Sequence, residues 1–242
     1  TEPVPTKPEV KDTQPTAVTA SANATIQEKK QGEITVDPHA QFIPEDSVAV
    51  MTIRVQDLLK KAKSQRIDEV PIWQGAESRI LQYSPLAGRI LRDATDLGLD
   101  LESPIHIFLK LQASTNAPGG LSTTIGVAAA VRDMGELDGH LPVIIGETLG
   151  GFGEAQARNL QREKDHWKMS SRNLPVALAF NQKWFVLVSC NTKESNADLD
   201  AVLKQTLART APLAKGNADF RAHLGKKKDA GIWLDMTAGQ RL

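Results

Sequence analysis

Residues 146 to 155, G-E-T-L-G-G-F-G-E-A, follow the apolar run Leu141-Pro142-Val143-Ile144-Ile145 and are the stretch that most invites a chemical reading. A glycine-rich turn behind a buried segment can cradle phosphate on its backbone N–H groups. A Walker-type loop also needs Lys and then Ser or Thr directly after its last glycine, because the ammonium neutralises phosphate and the hydroxyl holds Mg²⁺. Gly146 and Gly151 have the right separation, but Phe152 and Gly153 follow. A dinucleotide fingerprint needs another glycine three residues beyond Gly153, and Gln156 stands there. Both templates fail at the residue that carries the mechanism. The segment Gly150, Gly151, Phe152, Gly153 is read instead as a helix end with a left-handed glycine cap, leading into a mobile polar stretch over 155–164. Its other reading is a loop that presents Phe152 to a partner, which makes it the one candidate binding site in the sequence.

Other reactive residue types are scattered. The five histidines, His39, His106, His140, His166 and His223, form no H-x-x-x-H or H-x-H pair to seed a metal site. His106 falls on the non-core face of its strand, where a packed or solvent-exposed role is commoner than catalysis. There is no G-x-S-x-G elbow and no S-x-x-K, so two familiar serine-nucleophile layouts are missing. The acid pairs Glu45-Asp46 and Asp198/Asp200 sit at a turn and a helix start, where turn and capping roles suffice. Cys190 closes the apolar run Trp184 to Ser189 and reads as a small buried hydrophobe. A single cysteine makes no internal disulfide, so it leaves the compartment open. The sequence therefore assigns no catalytic residue, no metal ligand and no cofactor.

Charge excludes another class. Lys plus Arg equals Asp plus Glu at 29 each over 242 residues, so no net field recruits nucleic acid or an anionic membrane. Lys226-Lys227-Lys228 has no aromatic interleaving or second basic patch and reads as a solvated turn. The N-terminal residues 1–40 are rich in Thr, Pro and Ala and poor in large apolar side chains; such a segment cannot offset its ordering entropy and is expected to be a disordered tether. A Thr/Pro/Ala tether at a non-Met start fits a chain whose export signal has been removed, or one that was trimmed.

The elements that would position any site begin near Gln41. Val48 to Val55 reads as a largely buried strand, and Asp57 to Ala62 as a short helix. Ile72, Ala76, Ile80, Tyr83, Ala87, Ile90, Ala94 and Leu97 recur at helical steps, with Pro85 predicting a kink or a break and Gly98 an end. Ile105 to Gln112 alternates, with Ile105, Ile107, Leu109 and Leu111 on the core face, and pairs in a hairpin with Thr124 to Val131. Asp133 to Leu149 reads as a helix, His166 to Ser170 as a short strand, and Val176–Phe180 with Trp184–Cys190 as a second hairpin. Ser195 to Asp198 caps a helix carrying Leu199, Val202, Leu203 and Leu207. The order predicts an α+β domain over 41–224, with helices packed on a largely antiparallel sheet.

The opening Ile43-Pro44-Glu45-Asp46-Ser47, the turn Gly98-Leu99-Asp100-Leu101-Glu102-Ser103-Pro104-Ile105 and the tip Asn181-Gln182-Lys183-Trp184 carry a resemblance. They resemble a family of exported bacterial proteins, many of them lipoproteins, built on a domain with no assigned function. The resemblance implies a periplasmic or cell-surface location and offers no catalytic residue to carry over. A lipidated chain would begin with Cys, whereas this one begins with Thr1, so an anchoring Cys would lie upstream or be absent. The functional expectation is a non-catalytic envelope module that binds a protein or polymer partner. Its alternative is an envelope hydrolase with a dispersed site, using His106 or His166 with a nearby acid.

The far end adds one expectation. Asp229 to Leu242 echoes the hydrophobic pattern of Asp46 to Leu59, either by coincidence or because residues 225–242 begin a second repeat unit. In the latter case the strand should pair with the edge of the sheet.

Overall fold

The computed structural model describes residues 37–64, 66–71, 74–75, 78, 84–113, 120–149, 161–170, 176–190, 196–209, 212–226 and 228–237. The expected tether up to residue 36, the glycine loop at 150–153 and most of the stripe between 72 and 83 lie outside these residues.

The fold is α+β: one eight-stranded antiparallel sheet in the order β4-β5-β6-β7-β3-β2-β1-β8, covered on both faces. Its strands are β1 (Ala49–Ile53), β2 (Ile105–Ala113), β3 (Leu121–Ala130), β4 (Gln161–Arg162), β5 (Trp167–Ser170), β6 (Val176–Phe180), β7 (Trp184–Cys190) and β8 (Ala230–Leu234). Both predicted hairpins form, with Ile107 opposite Val127 in one and Leu178 opposite Leu187 in the other. The second turns on Asn181, whose side-chain oxygen accepts the N–H groups of Lys183 and Trp184 at 2.8 and 3.1 Å.

Alternation sends odd-numbered residues of β2 and β3 to one face and even-numbered residues to the other. On the first face Ile105, Ile107, Ile125, Val127 and Leu187 meet three helices, α1 (Val55–Ala62), α2 (Pro85–Arg92) and α3 (Met134–Leu149). On the second, Val50, Phe108, Ala128, Val186 and Val188 meet a 3-10 turn at Pro38–Phe42 and helices α4 (Asn196–Ala208), α5 (Leu213–Gly216) and α6 (Ala218–Leu224). Gly126 faces Phe108 across the β2–β3 ladder, and a Cβ there would lie 1.9 Å from the ring. Only a glycine lets the aromatic ring lie flat on its neighbour strand.

Four expectations need correction. Folded structure already includes Asp37 to Ala40, ahead of Gln41: Asp37 caps the 3-10 turn with Pro38 behind it, and Ala40 and Phe42 are buried. The stripe through Leu97 breaks at Pro85, one of the two outcomes expected there, but the helix after it ends at Arg92 and not at Gly98. Ser84 is extended (φ −150°, ψ 95°) and its hydroxyl accepts the Ala87 N–H, so Pro85 opens α2 at N1 instead of kinking a longer helix. Within the stretch expected to be a mobile loop, Gln161 and Arg162 pair with Lys168 and Trp167. The face of β2 opposite Ile105 and Ile107 is buried too, including His106 and Lys110.

The turn into β2 forms as its residues suggest. Gly98 takes φ +69°, where a side chain would strike the Asp133 carbonyl, and Asp100 accepts the Glu102 N–H and the Ser103 hydroxyl at 3.0 and 2.8 Å. The C-terminal strand pairs with the sheet edge as expected, with Ala49 opposite Leu234 and Ile53 opposite Ala230.

Candidate functional site

Two histidines are placed where chemistry is conceivable. His106, on β2, is fully buried; its Nε2 lies 3.3 Å from an Asp37 oxygen and its Nδ1 3.1 Å from the hydroxyl of Thr52 on β1. The other Asp37 oxygen accepts the backbone N–H of His39 at 2.9 Å and the His39 ring Nδ1 at 2.8 Å. Burial alone would raise the Asp37 carboxyl, but the hydrogen bonds from His106 and His39 and the charge of His106 outweigh it and hold it well below the usual carboxylate range. An ionised carboxylate only accepts, so Nε2 of His106 donates to Asp37.

These four residues pin residues 37–42 to the second face of the sheet. The sequence places His106 on its strand but does not reveal Asp37 and Thr52 as its partners, or His39 on the other oxygen of Asp37. A signal for Asp37 was present, since Asp followed by Pro is a helix-start pair. It was hidden inside a segment whose proline content reads as tether. Beside Thr52 the surface leaves about 10 Å³ for a water-sized sphere, about the room of one water. The arrangement thus has an acid, a base and a hydroxyl but no space for a substrate carbon.

His166 is the reverse case. It stands between two open clefts of about 340 and 500 Å³ that share Glu163, Asp165 and His166 as walls. Arg162, Lys183, Lys204 and Arg209 line one or the other. Its Nδ1 meets Asp165 at 2.7 Å and its ring tilts against Trp184 at 5.7 Å. The hydrogen bond from His166 holds the fully exposed Asp165 carboxyl below its ordinary value. No Ser or Thr hydroxyl lines either cleft among the described residues. Here there is room but, among the described residues, no hydroxyl or thiol nucleophile.

The remaining candidates resolve simply. Gly150, Gly151, Phe152 and Gly153 lie outside the described residues. Gly146, counted in the phosphate-loop spacing, belongs to α3 and is buried. Cys190 is buried, with the Ser122 hydroxyl 3.5 Å from its sulfur. Among the described residues no group of three His, Cys, Asp or Glu side chains could hold a metal ion. Lys110 was not foreseen: buried on β2, it reaches Asp46 at 2.9 Å.

One edge of the sheet has no described strand beside it. The bonds Arg54 N–H to Asp229 O and Asp235 N–H to Val48 O turn the odd-numbered backbone groups of β8 toward β1. Those of Ala230, Ile232 and Leu234 therefore point away from the sheet, where no described strand pairs with them. Ile232 and Leu234 are 64% and 57% exposed, and Met236 just beyond is 88% exposed.

No family model, no curated protein and no solved structure matches the chain. No described helix is long and apolar enough to cross a membrane.

Proposed function

We propose that this protein is a non-catalytic binding or assembly module of the cell envelope, which takes an extended segment of a partner protein as an added strand along β8. The observation that carries the binding reading is the β8 edge. Its outward N–H and C=O groups and its exposed apolar side chains belong to the same residues, which is the arrangement an added strand needs for both main-chain bonding and side-chain pockets. Edges that must stay unpaired usually carry inward charges, Pro or a bulge, whereas Ile232 and Leu234 carry none. The envelope location is supported by the Ile43–Ser47, Gly98–Ile105 and Asn181–Trp184 resemblances and by the composition of the N-terminal segment. A lipid anchor upstream would attach it to the membrane.

A photo-crosslinking side chain at Ile232 tests this in intact cells. The expected product is a heterologous adduct in the envelope fraction, absent when the crosslinker sits at Val143 on α3 and lost in Leu234→Lys. Equal adducts from both positions, adducts only with copies of the same chain, or adducts confined to the cytosol would defeat the proposal.

The hydrolase reading has one observation in its favour, the contacts of His106 with both a carboxylate and a hydroxyl. The lack of substrate space beside Thr52 weighs against it. Ester hydrolysis by the purified protein, lost in His106→Gln and kept in His166→Gln, would turn the assignment to this reading.

A further inference from the structure

The recess beside Thr52 is walled by Thr52, Arg54, His223, Leu224, Lys226, Lys228 and Gly231, contributed by β1 and the residue after it, α6, the turn after that helix, and β8. Every ionisable side chain among these described residues is basic, in a chain whose net charge is zero. We propose that this recess binds a tetrahedral oxyanion of the phosphate class, as free phosphate or as a phosphate-monoester head group. One anion oxygen would enter the recess, which has room for about one water, and the others would meet the basic side chains at its mouth.

Three features separate this site from a chance cluster of surface lysines. The cations are not engaged elsewhere: Arg54, Lys226 and Lys228 make no ion pair among the described residues, and the nearby Asp229 is held by Lys61 at 2.6 Å. Nor do they cap α6. The Arg221 carbonyl at its end accepts the Gly225 N–H at 3.0 Å, and the His223 carbonyl accepts the Lys226 N–H at 3.2 Å. Finally, the fold makes room for the imidazole. His223 stacks on Phe220 at 6.2 Å and 13°, and a Cβ on Gly231, the residue opposite Thr52, would lie 2.8 Å from its Cε1.

The electrostatics agree. Burial, then the charges of Lys226 and Lys228, then His106, push the His223 imidazole below its ordinary value. A bound dianion is the counter-charge this recess lacks, and it would raise the imidazole pKa again. The anion's donors are Arg54, Lys226, Lys228 and protonated His223, all walls of the recess. Three permanent cations suit a dianion better than a carboxylate. This inference is independent of the partner strand proposed for β8.

The test is an NMR titration of the His223 ring Hε1 in the whole protein. Sulfate serves as the first probe because its charge does not change between pH 5 and 8; inorganic phosphate and neutral vesicles with and without a phosphate-monoester lipid follow. The expected result is a saturable rise in the His223 pKa with sulfate, absent in chloride of equal ionic strength. Affinity should fall about tenfold or more in Arg54→Gln and Lys228→Gln, the loss of one charged hydrogen bond, and stay unchanged in Arg132→Gln. A response to phosphate places the ligand in solution, and a response only to monoester-bearing vesicles places it on a lipid; both support the site. No saturable shift with any probe, or one that Arg54→Gln leaves intact, overturns it.

Discussion

The two faces of the sheet are stabilised in different ways. Toward α1, α2 and α3 the strands present Ile53, Ile105, Ile107, Ile125, Val127, Leu178, Phe185 and Leu187, and among the described residues the only buried polar strand residue on that side is Ser189. Toward the 3-10 turn and α4 to α6 the same strands bury Thr52, His106, Lys110, Ser122 and Thr124 among Val50, Phe108 and Val188. The first face relies on removal of apolar area from water, which is non-directional and indifferent to pH. The second face relies in addition on specific pairings, Asp37 with His106 and Asp46 with Lys110, because each buried polar group must find its partner. The faces should therefore fail differently.

The largest effect is expected on the apolar face. Leu187 is fully buried on β7 between β3 and β6, and Leu187→Ala should cost about 3 kcal/mol, with a Tm lower by about 6–12 °C. That loss should be the same at pH 5 and pH 8 by thermal melts; a marked pH dependence would break the contrast. Next comes Gly126→Ala on the other face, where a methyl meets the Phe108 ring at 1.9 Å and overpacking costs about 2–3 kcal/mol. A cost below about 1 kcal/mol, measured in urea, would mean that the ring moves freely and that the second face is loosely packed.

The Asp37 pairing sharpens the comparison further. Asp37→Asn should cost about 1–2 kcal/mol at pH 7, since a carboxylate with charged and neutral donors is replaced by an amide. The sign with pH follows from its depressed folded value: the ionised carboxylate's contribution is complete above its ordinary value of 3.8 and is lost as pH falls below it toward the folded one. The gap between variant and parent should therefore shrink below pH 3.8. A chain starting at residue 41 should likewise melt about 4–8 °C below one starting at residue 37, because Asp37, His39 and Ala40 go with the cut. Equal melting would restore the boundary that composition suggested.

The same contrast explains what could be read from sequence. Alternation in Ile105 to Leu111 and in Thr124 to Val131 marked the apolar face and the first hairpin, because a half-buried strand writes itself as period two, while the second was marked by two apolar runs around the turn residues at Asn181. The second face carried His106, Lys110 and Thr124 at the alternate positions, which is the pattern of a solvent face. Nothing local distinguishes a buried lysine that reaches Asp46 from an exposed one. The Asp37–His106–Thr52 group joins three separate segments, so no spacing announces it. Pro85 was legible as a disruption, and Ser84 before it decided between kink and helix start. The strand at Ala230–Leu234 was legible through its echo of β1, whereas the recess it helps to wall was not, because Lys226 and Lys228 gain meaning only beside Arg54 and His223.

The smallest expected effect concerns His223, at the margin where the second face opens to solvent. Its folded value lies below the ordinary 6.5, chiefly through burial and then through Lys226 and Lys228, so the folded state favours the neutral ring. The unfolded chain then binds more protons in the window just below pH 6.5. The ring's contribution to stability is complete above 6.5 and is lost as pH falls from there toward the folded value. His223→Gln should flatten the stability–pH curve over that window by less than about one proton's slope, and leave it unchanged above pH 7.5. Gly231→Ala supplies the complementary result. Its methyl, 2.8 Å from Cε1, should press the ring toward water and return its pKa toward 6.5 without removing the histidine. If the ring's pKa stays low in Gly231→Ala, burial is not what depresses it, and the lysine charges alone would have to account for the shift.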